Sequence, residues 1–248
     1  MTPASRVAPR RERLRAATID EIKQTALRLM RESGTIDVRF SDIARAMDLT
    51  PPALYRYFAD RDALLNALIA DAYGALGREV AQARDAVPID DLAGRFLVVA
   101  QAYRQWARRE PQQFALIFGL PLPGYVAPQD GPTTEAARGA MAELSRLFLD
   151  ARDRGRLAHP WLRDVPPALQ AAAAAKHGDS PDLPAESFQA TLHAWAALHG
   201  FTSLEAYGHF DWLGADAVED LFVGQVRLAA RAAGIPFERF RLRLVSVI

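Results

Sequence analysis

The sequence predicts an all-α protein, with a three-helix helix-turn-helix domain near the N-terminus and a larger helical domain behind it. Apolar residues recur at intervals of three and four along nearly the whole chain, and strand-like alternation is almost absent. Two short helical patterns flank residues 48–50, a spacing that allows the sharp turn of a helix-turn-helix. Proline and glycine gather in two broken stretches, 119–132 and 155–184, which separate the later helices.

Residues 18–32 carry Ile19, Ile22, Ala26, Leu29 and Met30 on one stripe, and Ser33-Gly34 ends that helix. A short helix over 40–47 turns Ile43, Ala44 and Met47 inward. Thr50 is a good N-cap for the next helix, with Pro51 at its first position and Phe58 at its end. Asp60 caps a longer helix through Leu64, Leu65, Leu68, Ile69 and Ala72. Further helices are expected over 90–109, from Pro111 onward, over 133–153 and, short and alanine-rich, over 171–175. The last two, about 185–208 and 215–233, are apolar on more than one face. Such helices must be buried on several sides, and a partner subunit is a natural cover. The tail 239–248 alternates Arg with apolar residues and reads either as a lone strand or as an irregular packed segment.

The 248 residues are 50% hydrophobic, enough to bury a core in one large domain or two modest ones. Cysteine is absent, which excludes disulfides, thiolate metal sites and cysteine nucleophiles. No apolar run reaches the ~18 residues of a membrane helix, and no signal-peptide pattern opens the chain. A cytoplasmic protein without membrane contact is expected. Lys+Arg and Asp+Glu balance at 30 each, yet residues 1–62 hold 12 basic residues against 9 acidic ones. The first fifteen residues set Arg6, Arg10, Arg11, Arg13 and Arg15 against Glu12 alone. They read as a basic flexible tail that faces a polyanion, or simply as a solvated end.

The segment 40–58, FSDIARAMDLTPPALYRYF, is the most informative. Asp48 tolerates the left-handed backbone that the turn needs, though less readily than glycine does. Ile43, Ala44, Leu49, Leu54 and Phe58 are expected to lock the two helices, with Ala44 small because they cross closely there. The second helix would then enter a DNA major groove, its N-terminal end against the bases. Pro52 and Arg56 share one face of it, Ala53 and Tyr57 another, and Tyr55 projects between them. Tyr55 and Tyr57 cannot both point inward beside Leu54 and Phe58, so at least one is exposed. Phosphate donors and one candidate guanine reader, Arg56, follow. Arg39, Thr50, Pro51, Pro52, Ala53, Tyr55, Arg56, Tyr57 and Arg61 are the candidate DNA contacts.

These residues resemble the TetR family of one-component bacterial regulators. The resemblance covers residues 18–72 and rests on Ile43-Ala44, then Leu54-Tyr55-Arg56-Tyr57-Phe58, then Arg61 and Leu64-Leu65. Four positions depart from the family pattern. Asp48 replaces the small turn residue, Tyr57 the histidine before Phe58, Arg61 a lysine, and Arg39 a capping Ser or Thr. The departures bear on operator sequence more than on DNA binding. Trp195, His199-Gly200 and the run 201–210 resemble the tryptophan–histidine–glycine type of TetR C-terminal domain. The resemblance implies a DNA-binding domain over 16–62 and a helical ligand-binding and dimerisation domain over 63–248.

Within that larger domain Phe188, Leu192, Trp195, His199 and Thr202 share one helical face, and Thr191, Ala194, Leu198 and Phe201 a second. One face would serve a pocket and the other a homodimer interface, completed by Val218, Leu221, Phe222, Gln225 and Leu228. Gly200 would permit close helix approach at a cost of ~1 kcal/mol relative to alanine. Phe96, Tyr103, Trp106, Phe114, Phe118, Phe148, Trp195 and His199 are the candidate ligand-contacting residues. Any one of these rings is more often ordinary core; as a group with polar handles they point to a small apolar or aromatic effector. Ligand binding would push the helix 62–84 as a lever and disturb two recognition helices on a palindromic operator, giving a ligand-responsive repressor. No cofactor, metal or enzymatic activity is expected. His193 and His199 are six apart, unlike the i, i+4 pair of a zinc helix. Two alternatives remain: a DNA-binding dimer with no small-molecule effector, and a histidine-dependent enzyme.

Overall fold

The structure, a computed structural model, describes residues 10–119, 124–126, 130–177 and 183–236. Arg6 and the alternating tail 239–248 lie outside the described residues. In chain order the helices are α1 (Arg10–Ser33), α2 (Phe40–Ala46), α3 (Pro51–Leu54), α4 (Arg61–Asp85), α5 (Leu92–Arg109), α6 (Pro111–Phe118), α7 (Pro132–Asp153), α8 (Pro167–His177), α9 (Ala185–Ala206) and α10 (Ala215–Ala232). Among the described residues there is no strand. The chain divides into two compact units, the first drawn from residues up to 75 and 110–138, the second from 76–109 and from 139 onward.

The first unit is built on α1, α2, α3, α6 and the start of α4. Ile22, Ala26 and Met30 of α1, Ile43 and Ala44 of α2, Leu54 after the turn, and Leu64, Leu65 and Leu68 of α4 share one core. Helix α1 begins at Arg10 rather than near residue 18, because its Arg, Leu and Ala residues are strong helix formers. Arg10, Arg11, Arg13 and Arg15 therefore stand on a helix and not on a flexible tail. At the other end the Ser33 hydroxyl donates to the Leu29 carbonyl at 2.8 Å, and Gly34 takes a φ of +68° that ends the helix. Asp48 adopts a φ of +53°, and the Leu49 N–H closes back onto the Ala44 carbonyl at 2.9 Å. That six-to-one bond is how α2 stops and the turn forms.

Helix α6 belongs to this unit, packing on α1 with Leu116 in the shared core. The sequence had placed it in the larger domain. Its apolar period says that one face is buried but not against which element.

The second unit holds α5, α8, α9, α10 and the later parts of α4 and α7. Its core runs through Phe96, Leu97 and Ala100, Leu147 and Phe148, Phe188 and Phe201, and Phe222 and Val226. Arg104, 5% exposed, ties three helices together. Its guanidinium donates to Glu205 of α9 at 2.7 Å and to Glu219 of α10 at 2.6 Å, and lies 4.4 Å from the Phe222 ring centroid. Burial opposes the charge, but the two carboxylates outweigh it and hold the Arg104 pKa above its ordinary value. Helix α8 is longer than the expected 171–175, since Pro167 starts it where a helix needs no N–H donor. Gly234, at a φ of +80°, turns the chain just after α10, and a side chain there would run into the Ala158 carbonyl.

Two expectations for α9 and α10 change. A side chain at Gly200 would meet nothing among the described residues within 4 Å, so close approach to one of the described helices is not its role. Val218 and Phe222, assigned to a dimer face, are buried in the chain's own core, whereas Leu221 and Leu228 are 46% and 55% exposed.

Candidate nucleic-acid interface and ligand cavity

Helix α3 is a single turn. Pro51 and Pro52 occupy the positions where a helix leaves N–H groups unpaired. After Leu54 the chain tightens, with Tyr57 N–H on the Leu54 carbonyl at 2.8 Å and Phe58 N–H on the same oxygen at 3.0 Å. The expected helix to Phe58 is therefore one α-turn followed by a tight turn. Thr50 takes the N-cap position with an extended backbone, but its hydroxyl makes no capping bond. Asp60 does cap α4, its carboxylate accepting from the Ala63 N–H at 2.7 Å.

This compact corner sorts the sequence-predicted DNA contacts. Arg39, Thr50, Pro51, Pro52, Tyr55 and Arg56 are exposed. Tyr55 is 55% exposed, with its ring 5.2 Å from that of Phe40. Ala53 is 7% exposed, which removes it from the accessible face, because a one-turn helix turns both Ala53 and Leu54 into the core. Tyr57 is half-buried against that core. Arg61 is engaged within the unit, donating to Asp37 at 2.7 Å and to the Val38 carbonyl at 3.4 Å. It braces the segment before α2 rather than standing free.

Arg15, read from the sequence only as part of a basic tail facing a polyanion, is not among the sequence-predicted DNA contacts. Its guanidinium lies 5.3 Å from the Tyr57 ring centroid and donates to the Arg56 carbonyl at 3.0 Å. The start of α1 thus abuts the recognition turn, with Arg11 one helical turn before Arg15. The signal was the arginine run, which reads as a tail only if helix propensity is ignored. Lys23 fixes α1 to α4 by pairing with Asp71 at 2.8 Å and Asp20 at 2.9 Å. Burial opposes its charge, and those carboxylates more than offset it, raising its pKa.

In the second unit α5, α7 and α9 line a partly open cavity of about 260 Å³. Phe96, Tyr103, Phe148, Trp195 and His199 line it as expected from the sequence, joined by Met141, Leu144, Thr191, Leu192 and Leu198. Trp106, Phe114 and Phe118 do not. Trp106 is fully buried core, and Phe114 and Phe118 belong to the first unit, where Phe118 packs edge-on to Tyr73. The two α9 faces are not divided between pocket and interface. Residues of both line the cavity, and Phe188, Phe201 and Thr202 complete the core beside it.

The Tyr103 hydroxyl lies 2.7 Å from His199 Nδ1, and Ser203 Oγ lies 3.4 Å from Nε2. Burial lowers the His199 pKa, so the ring is neutral at pH 7; one ring nitrogen donates its proton to a hydroxyl oxygen and the other accepts a hydroxyl proton. The imidazole stacks on Trp195 with ring centroids 5.1 Å apart. The Trp195 indole nitrogen is covered and has no hydrogen-bond partner among the described residues. His193 and His209 are exposed, and among the described residues no group of three or more His, Asp or Glu is disposed to hold a metal.

A helix-turn-helix with an exposed Tyr-Arg corner, followed by a helical domain, defines a DNA-binding regulator. Residues 22–68 match the family model described as bacterial regulatory proteins of the tetR family, and residues 96–229 match one described as a tetracyclin repressor-like C-terminal domain. The chain is 32% identical over 236 residues to the HTH-type transcriptional regulator Rv1816 of Mycobacterium tuberculosis, covering 92% of this chain and 97% of that one. It is 27% identical over 216 residues to Rv0681, an uncharacterized HTH-type transcriptional regulator of the same organism, covering 85% and 79%. The crystal structure of regulatory protein SCO4313 superposes with a TM-score of 0.71 at 33% identity, covering 90% of this chain and 98% of that one. The chain belongs to the TetR family of bacterial transcriptional regulators.

Proposed function

We propose that the protein is a cytoplasmic, ligand-responsive repressor that binds a palindromic operator as a homodimer and releases it when a small apolar molecule fills the cavity of the second unit. The observation that carries this reading is the cavity itself, about 260 Å³ walled by apolar and aromatic side chains. A core without such a space would pack those rings against one another. Thr50, Pro52, Tyr55 and Arg56, with Arg39 and Arg15 beside them, supply phosphate contacts and base readout. Dimerisation through the outer faces of α9 and α10 would set two such corners about one DNA turn apart, ~34–36 Å. By linkage, an effector that weakens operator binding tenfold binds the DNA complex tenfold more weakly, ~1.4 kcal/mol of coupling.

The test is selection of sites from random duplex DNA with the wild type and with a Tyr55→Ala, Arg56→Ala double variant. Both residues are exposed, so the variant is expected to fold. Enrichment of one palindrome by the wild type, lost in the variant, is the expected outcome. Binding that ignores both sequence and substitutions overturns the operator reading.

A further inference from the structure

The cavity wall combines three features that narrow what it takes. None of its lining residues is Lys, Arg, Asp or Glu. Its imidazole, on His199, is held neutral by burial and already engaged with Tyr103. Among the described residues its one orphan polar atom is a donor, the Trp195 indole nitrogen, which is covered and faces the cavity only if the ring turns. An unsatisfied buried donor is unfavourable, and bulk water does not reach this one. A neutral wall cannot repay the desolvation of an ion, so a carboxylate or ammonium guest is disfavoured. As to size, a cavity of ~150 Å³ takes benzene. The 260 Å³ here suits one or two rings, or an alkyl chain of similar bulk.

We propose that this cavity selects uncharged, apolar molecules of one or two rings that carry a hydrogen-bond acceptor, a ketone or ether oxygen for example, and that Trp195 turns its ring on the His199 face to donate to that acceptor. The proposal rests on the reading of the cavity as the effector site and specifies its ligand class. Trp195 sets the selectivity, since a guest without an acceptor leaves the indole N–H orphaned. Tyr103, paired with His199, holds the imidazole against which the indole stacks.

Three probes of one ring system separate the contributions: naphthalene with no acceptor, 2-acetylnaphthalene with a neutral one, and 2-naphthoate with a charged one. Dissociation constants are measured by calorimetry at pH 7.5 on the full chain and on a Trp195→Phe variant. For the wild type the ketone is expected to bind at least tenfold more tightly than naphthalene and at least tenfold more tightly than naphthoate. In the variant the ketone's advantage over naphthalene should fall below threefold, and retained naphthalene binding shows that the variant still folds around the cavity. Naphthoate binding as tight as the ketone's, a ketone preference that survives Trp195→Phe, or no binding by any probe overturns the proposal. Operator binding measured with each probe distinguishes the two readings. Selective ketone binding that leaves DNA affinity unchanged keeps the ligand class and removes the effector role, whereas naphthoate binding that releases DNA does the reverse.

Discussion

His199 ties the protonation state of the second unit to its stability. Burial lowers its pKa below the ordinary 6.5, so between the two values the unfolded chain binds more protons than the folded one. The contribution of the neutral ring is complete above pH 6.5 and is lost as the pH falls below it. The melting temperature is expected to drop between pH 7 and pH 5, and to drop less in His199→Asn, which keeps a neutral polar group. An equal acid loss in both proteins would place the sensitive group elsewhere. At this scale the sequence was legible where residue type and spacing together demand one environment. Ile43, Ala44 and Leu54 are wholly buried, and Tyr55 is exposed. Trp195, His199 and Tyr103 meet at one cavity, whereas Trp106, read from the same kind of side chain, is core. Ala53 was misread, because an exposed face was counted on a helix that is only one turn long.

The tie between helices is carried by Arg104, whose guanidinium joins α5 to Glu205 on α9, its side chain 13% exposed, and to Glu219 on α10, 40% exposed. Removing Arg104 leaves the largely buried Glu205 carboxylate uncompensated, while Glu219 is still solvated. Arg104→Met is therefore expected to cost ~3–5 kcal/mol, read as a lower urea midpoint. A combined Arg104→Met, Glu205→Gln variant should recover at least half of that, because the stranded carboxylate is gone. Failure to recover would mean that cation–π packing on Phe222, 4.4 Å away, is the larger contribution. Nearly every helix was visible in the apolar period, and the ends followed where a cap was chemical, as with Ser33-Gly34 and Asp60. The partners of the helices were not visible. Phe114 and Phe118 were assigned to the cavity on side-chain type, yet α6 sits with α1, a long-range choice that no local spacing encodes. The arginines of α1 failed for the opposite reason, their charge drawing notice away from their propensity.

The outer faces of α9 and α10 make the dimer testable for the molecule as a whole. On α9, Leu192 and Leu204 are exposed, and Gly200 between them has open space where a side chain would stand. On α10, Leu221 and Leu228 are exposed around Gly224, which is equally open. The two helices pack on each other, so leucines and glycines spaced eight and four apart on α9, and three and four apart on α10, line exposed faces of adjacent helices. Leucines with small residues between them suit ridges that enter the grooves of a facing helix, and on the proposed dimer a second copy supplies it. Leu221→Glu combined with Leu228→Glu should convert the protein from dimer to monomer in sedimentation velocity at micromolar concentration. Each leucine reaches solvent in the single chain, so helix content by circular dichroism should hold. Operator affinity should fall by more than tenfold, since a single recognition corner loses the second half-site. A double variant that still sediments as a dimer would move the interface away from these helices, and the operator's symmetry would then need another source.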